Sequence, residues 1–196
     1  MNTLTGDYLL TDDDWEELVW VWRQTDVPKG CRVEIIDGLI MVTHYSANAH
    51  HVVASGVHRS LCEAISEDRG VYQRLAVADP RHLGLYVPDL AVVPEEALLS
   101  GDDSFVPASA AELVVEITSK ATSDNDRVKK VVAYAQAGVP LYLLIDSLAP
   151  GGPTVTAYGE PTDDVYRVLH GGRFGDPVAL PQPFDLTLDT SKFPVG

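Results

Sequence analysis

Between Ala111 and Asp146 the chain reads strand, helix, strand, and no other feature restricts the fold as much. AELVVEIT has the length and the Val and Ile content of a strand. Ser123 opens SDNDRVKKVVAYAQAG, with Asp126 at the reciprocal capping position and Gly138 as the stop before Pro140. LYLLID then forms a nearly continuous apolar run, the pattern of a strand covered on both faces. A helix joining two such strands predicts a right-handed crossover and a parallel pair. The expected fold class is therefore α/β. Its mixed sheet is centred on the strands of Asp89, Glu116 and Leu141 to Ile145 and flanked by helices starting near Ser46 and Ser123.

The rest of the chain reads as additions to this unit. Thr11, the following aspartates and WEELVWVW predict an N-capped helix ending near Arg23, with Trp15, Trp20 and Trp22 as packing residues. RVEII and LIMVT flank Asp37-Gly38, the pair that tolerates a type I′ turn, and predict a β-hairpin. Val53, Val57, Leu61, Ala64 and Ile65 fall at helical spacing in a long helix from Ser46 to about Asp68, ended by Gly70. VYQRLAV and YVPDLAVV each read as one strand, and TVTAY, VYRVL, PVAL and FDLTL as a C-terminal antiparallel β extension. With 196 residues, 45% apolar and 22% charged, a single domain over 1–196 is expected. Cys31 and Cys62 have neither disulfide-framework nor metal spacing, which suits a reducing cytoplasm. The longest apolar run falls far short of the ~20 residues that cross a bilayer, so no membrane partner is expected.

Two acids sit in strands that otherwise reject charge, Asp89 in VPDLAVV and Glu116 in LVVEITS. A carboxylate among β-branched neighbours is destabilised by desolvation unless donors or a cation meet it, and a divalent cation is one such partner. An arginine partner or an exposed strand end is the alternative. In the helix that follows, Arg127, Lys130 and Tyr134 form a polar stripe opposite Val128, Val131, Val132 and Ala135. A helix returning over the strand of Glu116 brings Lys130 to the same point, where an ammonium would orient an attacking water or stabilise charge on a phosphate. A solvated helix lysine is the plainer reading. His44, His50, His51 and His58 form no H-x-x-x-H pair, which disfavours zinc. There is no Gly-rich phosphate loop and no Ser nucleophile elbow.

EIIDG, YSANAHH, VPDLAVV, LVVEITS, DRVKKVVAYAQAGVPLYLLID and LPQPFDLTL, in this order from about residue 8 to residue 193, resemble the Uma-two family of restriction-endonuclease-like proteins. The resemblance implies a PD-(D/E)XK nuclease core. On it, Pro88-Asp89 matches the PD pair, Glu116 the second acid, and Lys130 the lysine that this family carries on the following helix. Glu34 matches the acid of the E-x-x-D-G hairpin and His50 the histidine at the helix start. The implied catalytic set is thus Asp89, Glu116, Lys130, Glu34 and His50, with Asp89 and Glu116 holding Mg²⁺ or Mn²⁺ in a DNA endonuclease. Thr118 occupies the lysine position of the standard motif, and Lys120 stands where the family usually has proline.

Charge sets a competing reading. Fourteen Lys and Arg against 29 Asp and Glu give a net charge of −15, which repels phosphate backbones and excludes a broad non-specific nucleic-acid surface. Lys120, Arg127, Lys129 and Lys130 nevertheless lie close together, so a nuclease here would be an acidic body with one basic cleft. The alternative is a catalytically silent module of the same fold acting through a protein or small-ligand partner. A homodimer is compatible with either.

Overall fold

In the computed structural model, which describes residues 12–44, 48–100 and 104–194, thirteen strands and four α-helices succeed one another. Their order is α1 (Asp12–Gln24), β1 (Cys31–Ile36), β2 (Leu39–His44), α2 (Asn48–Ala64), β3 (Arg69–Gln73), β4 (Val77–Asp79), β5 (Gly84–Tyr86) and β6 (Leu90–Pro94). There follow α3 (Glu95–Leu99), β7 (Val106–Pro107), β8 (Leu113–Ile117), α4 (Lys130–Gln136), β9 (Leu141–Asp146), β10 (Thr154–Thr162), β11 (Val165–Arg173), β12 (Pro177–Leu180) and β13 (Leu186–Asp189). The expected Thr11 cap and the Ser46 helix start lie outside the described residues.

The strand, helix, strand unit forms the centre. β8 and β9 pair in parallel from Leu113 opposite Leu141 to Ile117 opposite Ile145, and β6 lies antiparallel on the other side of β8. They occupy the middle of a six-stranded sheet ordered β11-β10-β9-β8-β6-β3. Every residue of β8 and β9 is buried, as continuous apolar runs covered on both faces require. Alternation sends Leu113, Val115 and Ile117 to one face, where Val53, Val57 and Leu61 of α2 and Val178 and Leu188 of the β12-β13 pair complete the core. Val114 goes to the other face, against Ala133 and Tyr134 of α4 and Ile36, Val77 and Tyr86 of the second sheet. Glu116 shares that face.

The second sheet is ordered β2-β1-β5-β4-β7. Asp37 and Gly38, at φ 52° and 73°, make the expected tight turn between β1 and β2. Trp15 and Trp22 of α1 pack edge-on against Phe105 at 6.1 and 6.5 Å, and Trp22 donates its indole N–H to the Val33 carbonyl at 3.0 Å. Trp20 is not a packing residue. It is 63% exposed, because at ~100° per residue it lies on the side of the helix away from both other tryptophans.

Three further expectations are corrected. YVPDLAVV is two strands in different sheets, β5 and β6, because Pro88 has no N–H to give a ladder and the chain turns at Val87 to Asp89. VYQRLAV breaks likewise at Arg74, which has φ 57°, so β3 and β4 also serve different sheets. α2 stops at Ala64, and Gly70 lies within β3, where any side chain would run into the Tyr72 ring.

At the end of β9, Asp146 accepts hydrogen bonds from Arg127 Nε and Nη2 at 2.7 and 3.0 Å, Thr118 Oγ1 at 2.8 Å and the Leu148 N–H at 3.0 Å. Burial pushes its pKa up, but these donors outweigh burial and hold the carboxyl below its usual range. A depressed folded pKa stabilises above the unfolded value and is lost as pH falls through the folded one. Asp146→Asn should therefore lose about 1–2 kcal/mol at pH 7, with the gap to wild type closing as pH falls below about 4 in denaturant melts. A pH-independent gap would mean that packing, not charge, holds this corner.

Candidate active site

A carboxylate in the middle of an apolar strand needs donors, and the helix after β8 supplies them. That helix begins with a wider, π-type stretch over Asn125–Lys129 and continues as α4. Lys130 Nζ and Tyr134 Oη, one turn apart on α4, donate to Glu116 Oε1 at 2.8 and 2.9 Å. Lys130 is fully buried, and its Nζ also lies 2.8 Å from Glu34 Oε1 of β1 and 3.5 Å from Asp126 Oδ1. Glu34 in turn accepts the Val87 N–H at 2.9 Å. One ammonium thus faces three buried carboxylates.

The second cation is Arg32, which shares a strand face with Glu34. Its Nε is 3.4 Å from Glu34 Oε2, its Nη1 3.2 Å from Asp89 Oδ1 and its Nη2 3.8 Å from Glu116 Oε2. Nη1 also donates to the Val87 carbonyl at 2.9 Å. Asp89, at the turn that leads into β6, accepts the Ile117 N–H at 2.8 Å, so the acid is tied to the strand that carries Glu116. His50, at the start of α2, places Nε2 3.0 Å from Asp89 Oδ2.

The structure therefore gathers Asp89, Glu116, Lys130, Glu34 and His50 in one cluster. It leaves out Lys120, which is exposed, and Lys129, which pairs with Asp37 at 3.0 Å. Sequence reading missed Arg32 and Asp126. The available signals were the i, i+2 relation of Arg32 to Glu34 on a strand and the i, i+4 relation of Asp126 to Lys130 on a helix. Asp126 is not the expected cap; it is buried beside Lys130. The polar stripe of this helix points inward and Val128 and Val132 are exposed, because charge pairing inside the cluster outweighs the burial of two valines.

Charge within the cluster does not balance. Glu34, Asp89, Glu116 and Asp126 stand against Arg32 and Lys130, an excess of two negative charges if every carboxyl is ionised. Burial and the neighbouring Asp126 and Asp89 push Glu116 up to about 8, against the pull of Lys130 and Arg32. Burial also raises Asp126. Burial works against Glu34 and Asp89 too, yet Lys130 and Arg32 hold Glu34 low, and the hydrogen bond from His50 to Asp89, together with the charge of Arg32, holds Asp89 low. Glu116 Oε2 is buried with no hydrogen-bond partner among the described residues. A carboxyl oxygen without a hydrogen-bond partner, and two carboxyl groups whose ionisation a further positive charge would favour, fit a hard divalent cation in donor type and in charge. Among the described residues no three His, Cys, Asp or Glu side chains are arranged to hold an ion, and the Arg32 guanidinium lies between the carboxylates of Asp89 and Glu116.

The family model Uma2, described as "Putative restriction endonuclease", matches residues 15–191. A crystal structure of a protein from Anabaena variabilis, described as "a putative nuclease belonging to DUF820", superposes with a TM-score of 0.67 at 17% identity, covering 94% of this chain and 97% of that one. This likeness shows a shared mixed α/β fold. No curated protein matches the sequence. Among the described residues no helix is long and apolar enough to cross a membrane.

Proposed function

The chain belongs to the Uma2 family, and from that premise we propose that it is a metal-dependent endonuclease that hydrolyses phosphodiester bonds in DNA at the Asp89–Glu116 cluster. The observation that carries the reading is a buried cluster of four carboxyl groups with two fixed cations, in which burial holds Glu116 largely neutral unless a further cation joins it and Glu116 Oε2 has no hydrogen-bond partner among the described residues. Unpaired buried charge destabilises a fold, and such sites are retained where they serve chemistry. Mg²⁺ or Mn²⁺ held by Asp89 and Glu116 would supply the missing charge and the Lewis acidity that activates water and polarises a phosphate.

The remaining work falls to the chain's own side chains. Lys130 is enclosed by Glu34, Glu116 and Asp126, so it acts as a positioning residue that fixes the Glu116 carboxylate and does not touch a substrate. Glu34, itself held by the Val87 N–H, fixes Lys130 in turn. His50, 3.0 Å from Asp89 Oδ2, also lines the open cavity, so it is the cluster member that would meet a substrate entering there. The Arg32 guanidinium holds Asp89 and Glu116 together while no other cation does.

A nicking assay on supercoiled and single-stranded DNA tests the proposal. Cleavage is expected only with Mg²⁺ or Mn²⁺, and Glu116→Gln should reduce it by at least about 10²-fold. Equal traces from wild type and Glu116→Gln would mark a contaminant. The lead would then pass to the silent binding module, which the position of Arg32 between the two acids favours.

A further inference from the structure

A cavity of about 450 Å³ opens beside the cluster at the carboxyl ends of the parallel strands β8 and β9, where ligands of open α/β sheets characteristically bind. Its size falls in the range of ligand pockets, roughly 300–1,000 Å³. Ile117 and Leu148 form its floor where the strands end, Val53 of α2 and Phe174 add apolar wall, and His44 and His50 contribute imidazole rings. His50 joins the two places, because the ring that lines the cavity sets its Nε2 3.0 Å from Asp89. Lys120 lines the same cavity, is exposed, and makes no ion pair among the described residues.

We propose that this cavity takes the base of one unpaired nucleotide adjacent to the bond that is cut, so that the protein acts on single-stranded or locally unpaired nucleic acid. The inference rests on the nuclease reading above and specifies its substrate. Charge points the same way. A protein of net charge −15 cannot build its affinity from the six to ten phosphate contacts that hold typical duplex binders. Of the other basic residues between 120 and 130, Arg127 and Lys129 pair with Asp146 and Asp37 and Lys130 is buried, so that among the described residues lining the cavity Lys120 is the cation that can meet a phosphate. Affinity must then come from apolar burial and stacking, and a base offers its faces for that only when it is out of the duplex. Rings and aliphatic walls against the base, one lysine for the backbone and a carboxylate cluster one side chain away form a coherent site.

The test uses a pentadeoxynucleotide with a central 2-aminopurine, added to the full chain without metal so that nothing is cut. Wild type is expected to quench the probe and to bind it with a shallow salt dependence. Ala121→Trp, at an exposed position that lines the cavity, should fill it and weaken binding about tenfold or more with the melting temperature unchanged. Lys120→Glu should weaken binding and reduce the salt slope by about one. Annealing the probe to its complement should weaken binding about tenfold or more. Quenching retained in Ala121→Trp, or duplex bound as tightly as single strand, would overturn the proposal. The two readings part cleanly: cleavage without quenching removes the base site and keeps the nuclease, and quenching lost in Ala121→Trp without cleavage by wild type does the reverse.

Discussion

Lys130→Met will cost the protein about 3–5 kcal/mol of stability, whereas Glu116→Gln, at the other end of the same 2.8 Å hydrogen bond, will change it by about 1 kcal/mol or less. The asymmetry follows from charge. Lys130 is the one ammonium among Glu34, Glu116 and Asp126, all buried, and removing it leaves carboxylates that no water reaches. At about 2–4 °C per kcal/mol for a chain of this size, the melting temperature should fall by roughly 6–20 °C. Glu116, by contrast, is pushed up to about 8 by burial, so at pH 7 the metal-free protein holds it largely neutral and an amide of the same shape replaces a neutral acid.

The sign of the pH dependence follows from that raised value. A carboxyl whose folded pKa is raised contributes stability below its unfolded value, near 4, and loses it as pH rises through the folded one. Wild type in the presence of a chelator should therefore lose stability relative to Glu116→Gln between about pH 4 and pH 8. Thermal melts at pH 5, 7 and 9 check both statements. A Lys130→Met protein as stable as wild type would mean that the cluster is hydrated and that the charge argument for metal fails.

What the sequence made legible was whatever periodicity and local chemistry decide. LVVEI and LYLLID are strands because their residues permit little else, the helix between them stops at Gly138, and Asp37-Gly38 selects its turn. The pair of acids stood out because apolar strands reject charge. What stayed hidden was decided by tertiary packing. Which face of the helix carrying Lys130 turns inward depends on carboxylates delivered by β1 and β8, and hydropathy alone assigns that face to water. The division of YVPDLAVV between two sheets depends on a second sheet that no short window contains. Arg32 was hidden for the same reason, since beyond its neighbour Glu34 its strand gives no sign that two acids from distant segments, Asp89 and Glu116, meet its guanidinium.

Arg32 leads to the other large effect. Arg32→Met should bind Mn²⁺ at least tenfold more tightly than wild type while its metal-free form is about 3 kcal/mol less stable. The guanidinium lies 3.2 Å from Asp89 and 3.8 Å from Glu116, so an ion held by both acids must displace it or bind against its field. At an effective dielectric of about 20, a double and a single charge about 6 Å apart repel by roughly 5 kcal/mol. Even a fraction of that exceeds the 1.4 kcal/mol of a tenfold change in affinity. The same exchange explains the lost stability, since the variant has one counter-ion where the folded cluster had two, and Mn²⁺ should restore what the mutation removed. Calorimetric titration with Mn²⁺ and melts across a Mn²⁺ series measure both sides of the exchange. Equal affinities in the two proteins would place the ion elsewhere than between Asp89 and Glu116. Weaker binding in Arg32→Met would mean that the guanidinium positions the ligands for the ion, in which case arginine and metal act together rather than in turn.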